Sequence, residues 1–222
     1  MSVIAVTGLT FEARIAEGSG VRTIAGGGVR LRLTRALDAE FARGAVALLS
    51  FGIAGGLSDA ALPGTWFVAD AVVGSGRRWE VDAAWFAALN ERLPGALGGD
   101  VAGTDVILAT AAEKRALALT TGACALDMES HIVAAFAADH GVPFAVFRVI
   151  ADPVSRALAP ATTMGMRPDG TVNQRAVLAS LLRAPGQLPT LLRNALDTRV
   201  ARRALSRGRR LLGPGLGYPD FR

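Results

Sequence analysis

Residues 125–130, Ala-Leu-Asp-Met-Glu-Ser, decide how this chain is organised. They end a predicted buried strand over residues 123–128, which runs directly into a predicted helix over residues 129–140. Ligands of open α/β sheets bind at the ends of strands, so Asp127 and Glu129 are candidates to hold ligand hydroxyl groups. The alternative is that both are first-turn acids that favour the positive end of the helix dipole.

Strands and helices alternate on both sides of this stretch. The other predicted strands cover residues 2–7, 46–51, 65–73, 104–110 and 144–150, and the other helices of this part cover residues 31–43, 82–93 and 111–121. Such alternation builds a parallel sheet that is covered on both faces. We therefore predict an α/β fold with three layers, α/β/α, around a central mixed, mainly parallel sheet.

The composition fits one globular domain, with 222 residues of which 51% are hydrophobic. Cys124 is the only cysteine, which excludes an internal disulfide and a Cys-rich zinc site. His131 and His140 are nine residues apart on one predicted helix, a spacing that does not suit a metal pair. The longest uncharged run, residues 44–58, is too short and too rich in glycine to span a bilayer. Without a secretory leader, we expect a cytoplasmic protein.

Two further carboxylates follow predicted strands. Glu12 comes just after the first strand, where it is either a first-turn acid of a helix or an active-site group. Asp152 comes just after the strand over residues 144–150, where it is either a ligand group or a cap for the next segment. By contrast, we expect Glu113 and Lys114 to be solvated residues of a helix.

Two glycine-rich segments are candidates for close contact with a ligand. Gly26, Gly27 and Gly28 precede a predicted helix, a position at which backbone N–H groups bind anions. Residues 52–56 follow the strand over residues 46–51, and glycines there let a planar ligand approach the backbone. Each segment can also be a turn that needs glycine. Neither matches a dinucleotide-binding or P-loop pattern.

Four segments, taken in order, resemble the purine nucleoside phosphorylase and nucleosidase superfamily, which includes the methylthioadenosine/adenosylhomocysteine nucleosidases. They are Glu12 after the first strand and residues 50–57, 127–130 and 148–152. The short chain and its Arg-rich tail look most like the hopanoid-associated phosphorylases, which are expected to remove adenine from adenosylhopane. The resemblance implies a nucleoside phosphorylase-like fold, self-association, and no metal or organic cofactor.

The resemblance also implies a role for each candidate residue. Glu129 would bind the ribose 2′- and 3′-hydroxyls, and Asp152 would protonate the purine N7 as the bond breaks. The two oxygens of Asp152 suit a purine with a 6-amino group. Glu12 would orient a nucleophilic water. The other residues expected along the substrate are Phe51, Gly52, Gly55 and Met128.

The acceptor of the sugar stays open between water and inorganic phosphate as a co-substrate. Phosphorylases of the superfamily hold phosphate with Arg and Ser near the glycine-rich segment, where this chain has Ser50 and Ile53. The candidates to hold phosphate here are Gly27, Gly28 and Ser50, with Arg30 or Arg32. Glu12 favours hydrolysis, whereas the hopanoid-associated subfamily favours phosphorolysis.

The C-terminal part of the chain is strongly basic. Residues 183–222 have a net charge of +7 and residues 1–182 a net charge of −2. A helix is predicted over residues 188–212, and its arginines are a solvated face, a contact for anionic lipid or a contact for nucleic acid. The lack of interleaved aromatic residues argues against nucleic acid. We divide the chain into a nucleoside phosphorylase-like domain, 1–182, and an Arg-rich helical extension of that domain, 183–222.

These inferences combine into one functional prediction. We expect an enzyme that cleaves the N-glycosidic bond of an adenosine with an apolar 5′ group, with adenosylhopane as the substrate, at the inner face of an anionic membrane. One alternative is a soluble methylthioadenosine/adenosylhomocysteine nucleosidase. The other is a non-catalytic, membrane-associated protein that binds nucleosides.

Overall fold

The structure, a computed structural model, describes residues 2–26, 29–165, 171 and 173–221. Within these residues the strands are β1 (Ser2–Thr7), β2 (Val21–Ala25), β3 (Ala45–Gly56), β4 (Trp66–Val68), β5 (Ala71–Gly74), β6 (Arg77–Glu80), β7 (Val101–Gly103), β8 (Ala125–Asp127) and β9 (Phe144–Asp152). The helices are α1 (Thr10–Ala16), α2 (Arg30–Ala42), α3 (Ala83–Arg92), α4 (Ala111–Thr121), α5 (Ser130–His140), α6 (Pro160–Gly165), α7 (Gln174–Arg183) and α8 (Leu188–Leu212).

The long strand β3 is the centre of a single sheet. It pairs in parallel with β1 and β9, and its last residues pair antiparallel with β8. On one side of β3 lies β9, with β4 antiparallel beyond it. On the other side lies β1, with β2 beyond it, and past the end of β1 the same side of β3 is taken by β8, which is followed by β7, β5 and β6. The predicted mixed, mainly parallel sheet is therefore confirmed.

Both faces of the sheet are covered by helices, as the apolar strands predict. Ile4 and Val6 of β1 pack on the side of α2 and α5, whereas Val3 and Ala5 pack on the side of α1, α3 and α8. This alternation follows from the two-residue period of a strand. Buried Ser50 in β3 and Arg148 in β9 interrupt the apolar pattern on the α5 side, which marks a polar place inside the fold.

Two strand predictions were wrong. Residues 65–73 form two strands, because β4 pairs with β9 while β5 pairs with β6 and β7. Residues 104–110 form no strand, since the Thr104 hydroxyl donates to the carbonyl of Val106 at 2.9 Å and turns the chain. The short elements β2, β6, β7, α6 and α7 were not predicted.

Helix α8 has the predicted bounds and packs on the sheet. Its inward side consists of small and apolar residues, among them Ala201, Leu205 and Gly208. A Cβ atom at Gly208 would lie 2.6 Å from the ring of Phe147, so the close approach of helix and strand requires glycine. In the described part of the chain, no helix combines the length and the apolar composition needed to span a bilayer.

Candidate active site

Glu12 is held in place by the first turn of α1. Its Oε2 atom accepts hydrogen bonds from the backbone N–H groups of Gly8 (2.9 Å) and Leu9 (2.7 Å), and Oε1 accepts one from Ile53 in β3 (2.8 Å). Burial raises the pKa of Glu12, while the charge of Arg148 and these N–H groups oppose the rise. Glu12 therefore caps the helix and also lies at the sheet edge, so its two interpretations are compatible.

Three carboxylates lie around the buried guanidinium of Arg148 in β9. Its Nε atom lies 2.7 Å from Oδ2 of Asp127 and its Nη2 atom lies 3.4 Å from Oε2 of Glu129. The charge of Glu12 also acts on the guanidinium. No separate role was predicted for Arg148 from the sequence. The available signal was a charged residue inside the apolar strand Phe-Ala-Val-Phe-Arg-Val-Ile.

Both carboxylate oxygens of Asp127 have partners within this cluster. Its Oδ1 atom accepts the N–H groups of Ser130 (2.9 Å) and Glu129 (3.2 Å), and Oδ2 contacts the Ser130 hydroxyl and Arg148. The Ser50 hydroxyl accepts a hydrogen bond from Nη2 of Arg148 (2.6 Å) and lies 2.8 Å from that of Ser130. Asp127 and Ser50 are thus engaged with protein groups.

Glu129, like Glu12, is a buried carboxylate with a raised pKa. Burial raises its pKa to about 7, and the negative charges of Asp127 and Glu12 add to the rise against the effect of Arg148. Gly8 lies between Glu12 and Glu129, because its N–H binds Glu12 and a Cβ atom there would lie 2.8 Å from Oε1 of Glu129. The cluster therefore has more carboxylates than cations and suits hydroxyl donors or developing positive charge.

Asp152 ends β9 opposite Gly55 of β3. Its Oδ2 atom contacts Nζ of Lys114, whose side chain is 1% exposed. The prediction that Lys114 is solvated was wrong. Lys114 lies one turn before Leu117 on the side of α4 that faces the sheet, whereas Glu113 is exposed and caps the helix. Burial raises the pKa of Asp152, and Lys114 opposes the rise.

The glycines of β3 leave room beside these carboxylates. Gly52 has a φ of +152°, and a Cβ atom there would lie 2.7 Å from Oε1 of Glu12 and 2.8 Å from Nη1 of Arg148. A Cβ atom at Gly55 would lie 3.3 Å from Oδ2 of Asp152. Only glycine fits at position 52, which ties β3 closely to the cluster.

The remaining candidates lie in different surroundings. The ring of Phe51 is buried against Phe147, with 5.6 Å between ring centroids, on the side of the sheet away from Ser50. Met128 is half-buried between Asp127 and Glu129. Gly27 and Gly28 lie outside the described residues. Within residues 2–26, 29–165, 171 and 173–221, no group of three His, Cys, Asp or Glu is arranged to hold a metal ion.

Comparison with known proteins gives one family match. The sequence profile of the phosphorylase superfamily matches residues 29–183, which is more than half of the chain. Among proteins with curated descriptions, none matches the sequence.

Several solved structures share the fold. A 5′-methylthioadenosine/S-adenosylhomocysteine nucleosidase from Helicobacter pylori, bound to butyl-thio-DADMe-Immucillin-A, has a TM-score of 0.64 and 16% identity over 94% of this chain and 97% of its own. Futalosine hydrolase of H. pylori has a TM-score of 0.63 and 17% identity over 82% and 97%. The Streptococcus pneumoniae nucleosidase with 8-aminoadenine has a TM-score of 0.63 and 18% identity over 83% and 100%.

Proposed function

The chain belongs to the phosphorylase superfamily, and from that premise we propose that it cleaves the N-glycosidic bond of a 5′-substituted adenosine. The match to the family profile confirms the superfamily predicted from the sequence. The observation that carries the proposal is a set of three carboxylates near the C-terminal ends of β1, β8 and β9, of which Glu12 and Glu129 are buried and Asp152 is partly buried. Glu12 and Glu129 lie on either side of Gly8, and Asp152 ends the neighbouring strand.

Glu129 is proposed to hold the sugar. Its carboxylate can accept hydrogen bonds from the ribose 2′- and 3′-hydroxyls, with Met128 packed against the sugar. As the glycosidic bond breaks, the sugar becomes cation-like, as in glycoside hydrolysis. The excess of buried carboxylates over the single guanidinium of Arg148 stabilises this charge. These carboxylates need not contact the sugar closely in the bound substrate, because the positive charge of the sugar develops only in the transition state.

Asp152 is proposed as the general acid for the base. An anionic purine is a poor leaving group, and a proton on N7 removes this difficulty. Burial raises the pKa of Asp152, which favours the protonated form that the task needs. The second carboxyl oxygen can accept a hydrogen bond from a 6-amino group, so adenine is preferred over a 6-oxo purine. The missing side chain at Gly55 leaves space beside this carboxyl group.

Water is the proposed acceptor, with Glu12 as its partner. Three backbone N–H groups hold the Glu12 carboxylate, so a water bound to it is fixed in orientation. The Ser50 hydroxyl, a candidate for phosphate, already bonds Arg148 and lies against Ser130. Inorganic phosphate, held with Gly27, Gly28 and Arg30, is the alternative acceptor. The sugar product distinguishes the two.

Adenosylhopane is the proposed substrate, because the protein has a surface suited to a membrane-resident molecule. Leu188, Leu192, Leu196 and Val200 of α8 are exposed at four-residue intervals. Arg199, Arg203 and Arg210 continue the same side of the helix towards its C-terminus. We define these seven residues as the α8 outer face. Its leucines suit contact with lipid tails and its arginines suit anionic headgroups.

A soluble nucleosidase for methylthioadenosine or adenosylhomocysteine is the second candidate. The nucleosidases of H. pylori and S. pneumoniae share the fold. The α8 outer face favours the first candidate, because a soluble substrate gives no reason for it. We also propose self-association, for which the exposed Leu178 and Leu182 of α7 offer an apolar contact.

Substitution of the general acid tests the proposal. Asp152→Asn removes the proton but keeps the shape, so adenine release from a 5′-alkyl adenosine should fall by about 10²–10⁴-fold while the nucleoside still binds. Asp59→Asn, at an exposed position after β3, is the matched control and should keep full activity. Full activity of Asp152→Asn would overturn the mechanism. Binding without release by the unsubstituted protein would support the non-catalytic alternative.

A further inference from the structure

We propose that Lys114 is a positioning residue for the leaving base, which holds Asp152 by one oxygen and balances the charge that Asp152 acquires on giving up its proton. This inference rests on the proposed function, because it concerns the same cleavage. No catalytic or binding role was predicted for Lys114 from the sequence.

The chain uses lysine only at this position. Of its 24 basic residues, Lys114 is the single lysine, and all the others are arginines. Lys114 is fully buried, whereas its neighbour Arg115 is exposed. Lysine carries a compact charge with three donors, which a small buried space accommodates better than a guanidinium. The residue type therefore matches a specific task in the interior.

The ammonium group of Lys114 has three acceptors around it. It contacts Oδ2 of Asp152 and donates to the carbonyls of Pro153 (3.2 Å) and Arg156 (3.1 Å). All three N–H donors are thus used. In the described part of the chain, no donor reaches Oδ1 of Asp152. Lys114 therefore fixes the carboxyl group by Oδ2, which can still accept a second hydrogen bond from the 6-amino group, and leaves Oδ1 to carry the proton for N7.

The charges around Asp152 come from three parts of the fold. Lys114 faces it from α4, and the negative charge of Asp197 acts on it from α8. Asp197 in turn pairs with Arg156 of the segment after β9. A buried ion pair gives little net stability, which makes a purely structural role for Lys114 a weak explanation.

The chemistry of the step explains the pairing. The electron pair of the breaking C–N bond moves into the purine, the O–H bond of Asp152 breaks, and an N–H bond forms at N7. Asp152 is then an anion in a largely buried place, where an unpaired charge is costly. The ammonium of Lys114 stabilises that anion, so it favours transfer of the proton to the base.

Lys114→Met tests this role through the pH dependence of adenine release. The protonated form of Asp152 is the active one, so the rate falls as pH rises through its pKa. Without Lys114, burial acts on Asp152 unopposed and this pKa rises. The maximal rate should fall by about 10–100-fold, and the falling limb should move to higher pH. Arg115→Met, which removes an exposed charge of the same helix, should change neither.

The single lysine also allows a test that needs no turnover. In protein labelled with [¹⁵N,¹³C]lysine, Lys114 gives one side-chain resonance, and we expect it to shift when adenine is added and in the Asp152→Asn variant. This measurement decides the matter if Lys114→Met does not fold. A resonance that responds to neither change, or an unmoved pH limb in active Lys114→Met, would overturn the role of Lys114 alone. Failure of the unsubstituted, folded protein to release adenine would instead overturn the proposed function.

Discussion

At the scale of residues, the site depends on an imbalance of buried charge. Glu12, Asp127 and Glu129 surround one guanidinium, that of Arg148. Asp127 accepts hydrogen bonds from backbone N–H groups at the N-terminus of α5. The excess of negative charge over the guanidinium therefore lies mainly on Glu12 and Glu129. Burial raises the pKa of both, and that of Glu129 reaches about 7. Between about pH 4.5 and 7, the folded protein therefore retains a proton on Glu129 that the unfolded chain releases.

This imbalance predicts a pH-dependent stability. The folded-state pKa of Glu129 lies above its value of 4.5 in the unfolded chain, so its contribution to stability is complete below about pH 4.5 and is lost as pH rises to about 7. The loss should be on the order of 3 kcal/mol in the free energy of unfolding. Urea unfolding at pH 5, 6, 7 and 8 measures it.

Glutamine variants assign this effect. Glu129→Gln should flatten the decrease between pH 5 and 7, whereas Glu91→Gln, at an exposed position of α3, should leave it unchanged. A free energy of unfolding in the unsubstituted protein that does not fall over this range would contradict the charge imbalance.

Gly52 gives a second prediction at this scale. Gly52→Ala brings a methyl group against Glu12 and Arg148 at a positive φ, so it should lower stability by about 1–3 kcal/mol and impair adenine release. Gly44→Ala is the control, because Gly44 has a φ of +84° and nothing within 4 Å of the added Cβ atom. It should lose about 1 kcal/mol and keep its activity. Equal activity losses in the two variants would refute a role of Gly52 in the site.

The sequence was informative for residues that follow strands and uninformative for partners distant in the chain. Glu12 and Glu129 stand beyond the ends of strands and Asp152 is the last residue of one, which is a local signal. Lys114 stands in a helix with charged neighbours and resembles a surface residue, since its partner Asp152 is 38 residues away. Arg148 breaks an apolar strand, but only the fold shows which carboxylates it joins.

At the scale of elements, α8 shows what periodicity can and cannot predict. Its bounds agree with the sequence prediction, because apolar residues recur at helical intervals. The side of the helix that faces the sheet could not be predicted from this periodicity. The large residues Leu188 and Leu192 are exposed, and small residues such as Ala201 and Gly208 face the sheet. Close packing against Phe147 selects small side chains, which a hydrophobic pattern does not reveal.

Alanine substitutions of two leucines of α8 should therefore differ greatly in their effect on stability. We propose that residues 183–222 fold as part of the same unit as the sheet. Leu205→Ala should then cost about 2–5 kcal/mol, because Leu205 is fully buried in the core. Leu196→Ala should change stability by less than about 0.5 kcal/mol, because Leu196 is 61% exposed. Chemical unfolding of both variants measures the difference, and similar values for the two would contradict this packing.

At the scale of the whole molecule, the long strand β3 explains why the site forms where it does. It pairs with β1 and β9 along most of its length and with β8 at its end. The polar residues that follow these strands are therefore brought to one edge of the sheet. The mixed sheet was predictable from the sequence, but this change of strand partner was not, because it depends on pairing between distant parts of the chain.

The charge distribution of the whole molecule predicts binding to anionic vesicles. Arg199→Gln with Arg203→Gln should weaken binding to phosphatidylserine vesicles by about 2 kcal/mol, or roughly 30-fold, at about 1 kcal/mol per charge. Arg35→Gln with Arg115→Gln removes the same charge from exposed positions of α2 and α4 and should have little effect. Sedimentation with vesicles measures both. Equal losses in the two variants would refute a specific role of the α8 outer face.

The most direct test of the account is product analysis with a 5′-alkyl adenosine in detergent, with and without inorganic phosphate. We predict that adenine is released without phosphate and that mass analysis finds the free 5′-substituted ribose, with water as acceptor beside Glu12. A phosphate requirement and a sugar 1-phosphate product would contradict the role of Glu12 but retain N-glycosidic cleavage. No adenine from any 5′-substituted adenosine, with the protein folded, would contradict N-glycosidic cleavage by this protein.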